Sequence, residues 1–350
     1  MERRSFLKLT GTVLGTCALG AGTAFGAQAE GEADIIKHAS GLPRRVLGRT
    51  GVQVSVVGFP GLCMVHDDQA ACTRAARVAL DRGVNYFDVA PAYGNGKCEE
   101  RMGVALEGVP RDSIFLACKT KMRDKDGARE ELERSLKRLK TDHFDLYQMH
   151  HLRSAEEVKQ ALGPGGAIET FLKAKEEGKV RWFGFSAHTT RGALDALNGF
   201  DFETVMFPIN FVEYYRIGFG KAVLELAAKK KAAVFAMKAM SRGSWAQGAQ
   251  RSRQWWYQPT ESQAEIDMAV RWALSQAQVA AAISPSFVDL FEKSIEAGKG
   301  YRPITATETQ RLKDIADASL SVFEREEKQH AMHQPHPYPF GPYDGCSGLA

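Results

Sequence analysis

The sequence predicts a (β/α)8 TIM barrel with a small N-terminal β-hairpin and an extra C-terminal helix. Three observations predict it. Short apolar runs of strand length alternate with helix-length stretches along the chain. The strand runs are apolar on both faces, as buried parallel strands are. No Gly-x-Gly-x-x-Gly turn follows any of them, so an open doubly wound sheet, the nearest alternative, lacks its phosphate loop.

The elements follow in order. Residues 46–62 read as a hairpin with a Gly-rich exit, turning at Arg49-Thr50-Gly51. Residues 68–82 carry apolar side chains at helical spacing. Strand 85–90 (NYFDVA) precedes helix 99–106, and strand 114–120 precedes helix 128–139 with its charged outer face. Strand 144–150 (FDLYQMH) is followed by helix 167–175, which Gly178 ends. Strand 180–187 (VRWFGFSA) leads to a helix reaching Leu197. Strand 204–210 pairs with helix 220–230. Strand 233–240 is followed by a long loop and helix 261–276. Strand 280–286 precedes the last barrel helix, 288–297, and a further helix covers 306–329.

With 350 residues the chain suits one barrel of roughly 250 residues plus insertions. Hydrophobic content of 44% and charged content of 25% are ordinary for a globular protein. The net charge of +4 and the lack of basic clusters interleaved with aromatics give no sign of a nucleic-acid partner. The six cysteines show no zinc spacing and predict no metal site.

Residues 1–29 read as a targeting segment outside the fold. Arg3-Arg4-Ser5-Phe6-Leu7-Lys8 is a twin arginine, a weakly apolar stretch follows, and Ala27-Gln28-Ala29 gives a cleavage pattern. It resembles a bacterial twin-arginine export signal, which implies the twin-arginine machinery as a partner and a periplasmic location without stable membrane insertion after cleavage. A lipid anchor at Cys17 is the lesser alternative. Residues 30–42 form a linker, 43–329 the barrel, and 330–350 a tail rich in Pro and aromatics.

Functional side chains of such barrels sit at the C-terminal ends of the strands. That rule selects Asp88, Lys119, His150, Ser186, Asn210 and the 237–240 segment. Buried polar strand ends are costly unless paired or functional. Of the two adjacent histidines, strand alternation sets Leu146, Gln148 and His150 on one face and His151 on the other.

The blocks RRVLGRTGVQVSVVGFPG (44–61), GVNYFDVAPAYGNGKCEERMG (83–103), FLACKT (115–120), FDLYQMH (144–150) and GFSA (184–187) resemble, in order, the successive motifs of the aldo-keto reductase superfamily. The resemblance implies a nicotinamide-dependent oxidoreductase that reduces a small-molecule aldehyde or ketone. It implies a tetrad of Asp88, Tyr93, Lys119 and His150. The chemistry suits those residue types. A nearby ammonium favours a phenolate, so Lys119, kept charged by Asp88, suits Tyr93 as proton donor. His150 would polarise the carbonyl.

For the cofactor the resemblance implies Ser186 and Asn210 on the nicotinamide amide, Met237 against the ring, and Ser284, Ser286 and Lys293 towards the phosphates at the last helix N-terminus. It implies NADP(H) as preferred cofactor, with NAD(H) also possible, although Ala187 replaces a frequent asparagine and Lys293 is the only basic residue in the 287–293 run. Trp255, Trp256 and Tyr257, in the 242–260 loop, are candidates for covering the substrate. The alternative function is a nicotinamide-binding sensor on the same barrel.

Overall fold

The computed structural model describes residues 35–276 and 278–331. The expected export segment and residues 332–350 of the expected tail lie outside the described residues.

A hairpin opens the fold. Strands β1 (Arg44–Val46) and β2 (Gln53–Ser55) pair antiparallel, with Arg45 opposite Val54. Gly51 takes the left-handed conformation the turn requires (φ 75°), and the Thr50 hydroxyl donates to the Leu47 carbonyl at 2.7 Å. Arg45 is buried, and its Nη1 donates to the carbonyls of Leu274 and Val279 at 2.5 and 2.7 Å, fastening the hairpin under the barrel.

Eight parallel strands then close on themselves. They are β3 (Val57–Pro60), β4 (Tyr86–Asp88), β5 (Phe115–Thr120), β6 (Phe144–Leu152), β7 (Val180–Ala187), β8 (Thr204–Pro208), β9 (Ala233–Met237) and β10 (Val279–Ile283), and β10 pairs back onto β3. Tyr86, Phe115, Leu146, Met206 and Phe235 fill the interior, with Tyr86 stacked on Phe235 at 4.3 Å. The barrel is thus a packed core with room only at its mouth.

The helices are α1 (Gln69–Asp81), α2 (Lys97–Ala105), α3 (Lys125–Leu139), α4 (Ala155–Leu162), α5 (Ala167–Glu176), α6 (Thr190–Gly199), α7 (Phe211–Ile217), α8 (Lys221–Lys230), α9 (Gln263–Leu274), α10 (Val288–Lys299), α11 (Ala306–Asp317) and α12 (Glu324–Ala331). Asp68, Asp124, Ser154, Thr189, Asn210, Ser262 and Thr305 each cap a helix by accepting the backbone N–H three residues on. No helix among the described residues is long and apolar enough to cross a membrane.

Four details differ from the sequence expectation. The 46–62 hairpin resolves into β1, β2 and a separate barrel strand β3. Helices α4 and α7 were not expected. Each is short, and α4 buries only Val158 and Ala161, too few positions for a visible period. Strands β8 and β9 end at Pro208 and Met237, before the expected 210 and 240. Beyond them Asn210 turns to cap α7, and Lys238 is left-handed (φ 58°).

The expected helix over 306–329 is two helices. Ser321 breaks it, because its Oγ accepts the backbone N–H groups of Phe323 and Glu324 at 3.1 and 2.9 Å. The buried Glu213 carboxylate holds this break against the barrel by accepting the Ser321 hydroxyl and, at 2.7 Å, the Val322 N–H. The anchored Phe323 ring stacks on Phe219 at 5.0 Å and brings α12 beside the barrel mouth. Glu213→Ala removes two hydrogen bonds to a charged acceptor and is expected to cost about 2–4 kcal/mol. The check is the Tm together with amide exchange, which should rise first in residues 318–331. Unchanged protection there would refute the anchoring role.

Candidate active site

The barrel mouth gathers the polar strand ends because each parallel strand presents its last side chains to the same side. Register fixes which ones meet. Pro60 lies opposite Asp88, Asp88 opposite Ala117, and Lys119 opposite Gln148. Gly61 permits the close approach at the first of these pairs, since a Cβ there would stand 2.3 Å from the Asp88 carbonyl oxygen. After β4 the chain turns tightly. The Tyr93 N–H donates to the Ala90 carbonyl at 3.0 Å, and Gly94 and Asn95 are left-handed (φ 57° and 52°). That turn brings Tyr93 back over the mouth.

Lys119 has 0% exposure and forms a buried ion pair with Asp88. Its Nζ also donates to the Val89 carbonyl at 3.2 Å. Asp88 Oδ1 accepts from the Tyr86 hydroxyl and from Gln148 Nε2, both at 3.3 Å. Two carboxylate oxygens thus meet three donors, which offsets the cost of burying the charges. Burial, then the charge of Asp88, then its hydrogen bond hold the Tyr86 phenol well above its ordinary pKa, so Tyr86 stays protonated as a donor.

The Lys119 ammonium lies 5.0 Å from the Tyr93 ring centroid. His150 meets that ring edge-on, with centroids 5.7 Å apart and planes at 86°. Burial lowers the His150 pKa well below its usual value, and the charges of Lys119, Lys121, His151 and Arg123 add to the effect. His150 is therefore neutral at pH 7. It offers a ring N–H without adding a positive charge.

Asp88, Tyr93 and His150 line one cleft, open at its mouth, and the Lys119 ammonium lies beside the Tyr93 ring. Ser186, Met237, Ser284 and Ser286 line the same cleft, as do Trp255, Trp256 and Tyr257. The 242–260 loop that carries the aromatic trio is pinned. Arg242 N–H donates to the Gln258 carbonyl at 2.7 Å, Thr260 N–H to Met240 at 2.8 Å, and Trp245 Nε1 to Trp255 at 2.8 Å. The Arg253 guanidinium bridges the carboxylates of Glu261 and Asp289.

Two of the expected cofactor residues do not line the cleft. The Asn210 side chain caps α7, its Oδ1 accepting from Glu213 N–H at 3.0 Å. Lys293 donates to the Glu261 carbonyl at 2.8 Å and braces the loop. His151 also stays out of the cleft. It sits at a bulge in β6 with φ 63°, its ring packed edge-on against His188 at 4.2 Å. His188 and Lys238 also line the cleft; Lys238 lies within the selected 237–240 segment, whereas His188 was not selected from the sequence. Lys238 carried one usable signal, a lysine directly after an apolar strand.

A nicotinamide cofactor can be tested against these side chains. Ser186 Oγ accepts the His151 N–H at 2.8 Å, which leaves its own proton to donate. Ser284 Oγ is buried with no hydrogen-bond partner among the described residues. Met237 supplies an apolar wall between them. A flat ring bearing an amide, with phosphates attached, fits such a wall.

The profile of the Aldo/keto reductase family matches residues 65–317. Among curated proteins, the chain is 35% identical over 153 residues to the aldo-keto reductase YhdN of Bacillus subtilis, covering 39% of this chain and 44% of that protein. It is 32% identical over 157 residues to the L-galactose dehydrogenase of Arabidopsis thaliana, covering 41% and 47% respectively. These matches therefore span about half the length of the relatives. Among solved structures, the holo form of the aldo-keto reductase AKR11C1 from Bacillus halodurans aligns with a TM-score of 0.64 and 24% identity, over 81% of this chain and 99% of that one. An aldo-keto reductase from Klebsiella pneumoniae in complex with NADPH aligns with a TM-score of 0.60 and 20% identity, over 77% and 94%.

Proposed function

From the premise that this chain belongs to the aldo/keto reductase family, we propose that it reduces an aldehyde or ketone to an alcohol at the cleft lined by Asp88, Tyr93 and His150. The observation that carries the proposal is the Lys119 ammonium, paired with buried Asp88 and facing the Tyr93 ring, with His150 edge-on to the same ring.

When bound, a reduced nicotinamide supplies the hydride. Ser186 and Ser284 would hold its polar groups and Met237 its ring face. The chain's own residues do the rest. His150 donates a ring N–H to the carbonyl oxygen and polarises the bond. As hydride reaches the carbon, the π pair moves to oxygen, and that oxygen takes the Tyr93 hydroxyl proton. The phenolate left on Tyr93 faces the Lys119 ammonium, which stabilises it, and a proton from solvent restores the phenol. Asp88 keeps Lys119 charged and in place. The aromatic trio covers the cleft and reduces water access.

The family resemblance favours NADP(H), yet the groups beside the expected phosphate site add little support. Asp289 and Glu292 lie at the start of α10, and Arg253 is already bridged to Asp289 and Glu261. We therefore infer that NADH and NADPH bind with Kd values within about tenfold of each other, a difference under 1.4 kcal/mol. Fluorescence titration of the purified protein with each cofactor measures this. A preference of a hundredfold for NADPH would overturn the inference, and failure to bind either would overturn the reductase proposal itself.

A further inference from the structure

His150 stands where regular strand pairing gives out. The last pair of β6 with β5 is Met149 opposite Thr120. The pairing of β6 with β7 passes from Met149–Phe185 to Leu152–Ala187, so three steps on one strand match two on the other. Such a bulge bends its strand and re-aims the side chains on it. The peptide plane that joins His150 to His151 is held here by side chains. Its carbonyl, that of His150, accepts from Arg123 Nη2 at 2.8 Å. Its N–H, that of His151, donates to Ser186 Oγ at 2.8 Å. The same Nη2 reaches the His151 carbonyl at 3.1 Å. His151 is left-handed (φ 63°), a conformation that persists only where its surroundings enforce it.

Arg123 is built for that hold. It follows β5 by three residues, so the strand that carries Lys119 also delivers the guanidinium. Its side chain is 13% exposed and pairs with Glu157 of α4 at 3.2 Å. Its Nη1 donates to the Lys121 carbonyl at 3.0 Å, which fixes the guanidinium to its own loop. A rigid planar fork anchored in this way sets the direction of the carbonyls it meets, which a point charge on a flexible stem does less well. Rotation of the 150–151 peptide would turn the backbone on which the His150 imidazole is mounted. That imidazole meets the Tyr93 ring edge-on at 5.7 Å, so its aim decides whether both groups reach one carbonyl oxygen.

We propose that Arg123 is a positioning residue for carbonyl reduction: by gripping the His150 and His151 carbonyls it holds the His150 ring N–H on the substrate oxygen. Arg123 is not among the residues lining the cleft and acts through His150 alone. This rests on the reductase proposal above and adds a residue to its machinery.

The test measures kcat at saturating cofactor for 4-methoxybenzaldehyde and 4-nitrobenzaldehyde. It compares the unaltered enzyme, Arg123→Met, His150→Ala and the double variant. On the methoxy aldehyde Arg123→Met is expected to lower kcat by about 10- to 100-fold, the cost of a misplaced polarising donor. The nitro group already draws charge from its carbonyl, so the loss on that aldehyde should be at least about threefold smaller. In the His150→Ala background the same substitution should change kcat by less than about threefold, because effects that pass through one group do not add. Equal losses in both backgrounds, or equal losses on both aldehydes, would overturn the proposal and leave Arg123 a support of the fold. Glu157 keeps its bonds from Arg153, so Arg123→Met strands no carboxylate. Should that variant still fail to fold, Arg123→Lys, which keeps the charge beside Glu157 and loses the fork, carries the same comparisons. Failure of the reductase proposal is separate, since the unaltered enzyme would then turn over neither aldehyde.

Discussion

Tyr93→Phe is expected to lower kcat for carbonyl reduction by about 10²–10⁴-fold, the usual worth of a positioned proton donor. The ring remains, so its edge contact with His150 and its place beside the Lys119 ammonium are preserved. Cofactor affinity and Tm should therefore be unchanged. That combination separates chemistry from packing. A general structural defect would lower Tm and cofactor binding together. A variant that kept full turnover would show that the proton comes from elsewhere, and a protein that binds cofactor without turnover in either form would be the sensor.

The second large effect concerns the ion pair of Lys119 with Asp88. Lys119→Met leaves the Asp88 carboxylate buried with only the Tyr86 and Gln148 donors. Removing one partner of such a pair costs about 3–5 kcal/mol. Turnover should also fall, by about 10²–10³-fold, because the charge that stabilises the Tyr93 phenolate is gone. Adding Asp88→Asn to this variant removes the stranded charge. The double variant should regain most of the lost stability, by thermal unfolding, and none of the activity. Recovery of both would reduce the pair to a structural role. Recovery of neither would mean that the pair's hydrogen-bond geometry, and not its charge, holds the mouth together.

The barrel was legible because its strands are apolar throughout and its helices amphipathic, and because parallel closure puts all strand ends on one side. Asp88, Lys119 and His150 each end or nearly end such a strand, so topology alone assembles them. Tyr93 needed the resemblance, since it lies in a turn that no periodicity marks. The capping role of Asn210 was not foreseen, because an asparagine after a strand is also a good helix cap and α7 was too short to announce itself. The bond from Lys293 to the Glu261 carbonyl was not foreseen, because position along a helix does not reveal which neighbour a long side chain reaches. His188 was missed for a different reason. It lies one residue beyond β7, in the short link to α6, where no periodicity marks a functional position. The 255–257 aromatics were visible as a cluster, while the hydrogen bonds that pin their loop over the cleft were not.

The most direct measurement follows the transferred atom. The protein is incubated with an aldehyde that it turns over and a reduced nicotinamide carrying deuterium at both C4 positions, in ordinary water. Hydride delivery to a carbonyl held at Tyr93 and His150 predicts an alcohol with one deuterium on the carbinol carbon and a hydroxyl proton from solvent. An alcohol without deuterium, or cofactor bound and never oxidised by any aldehyde, would contradict it.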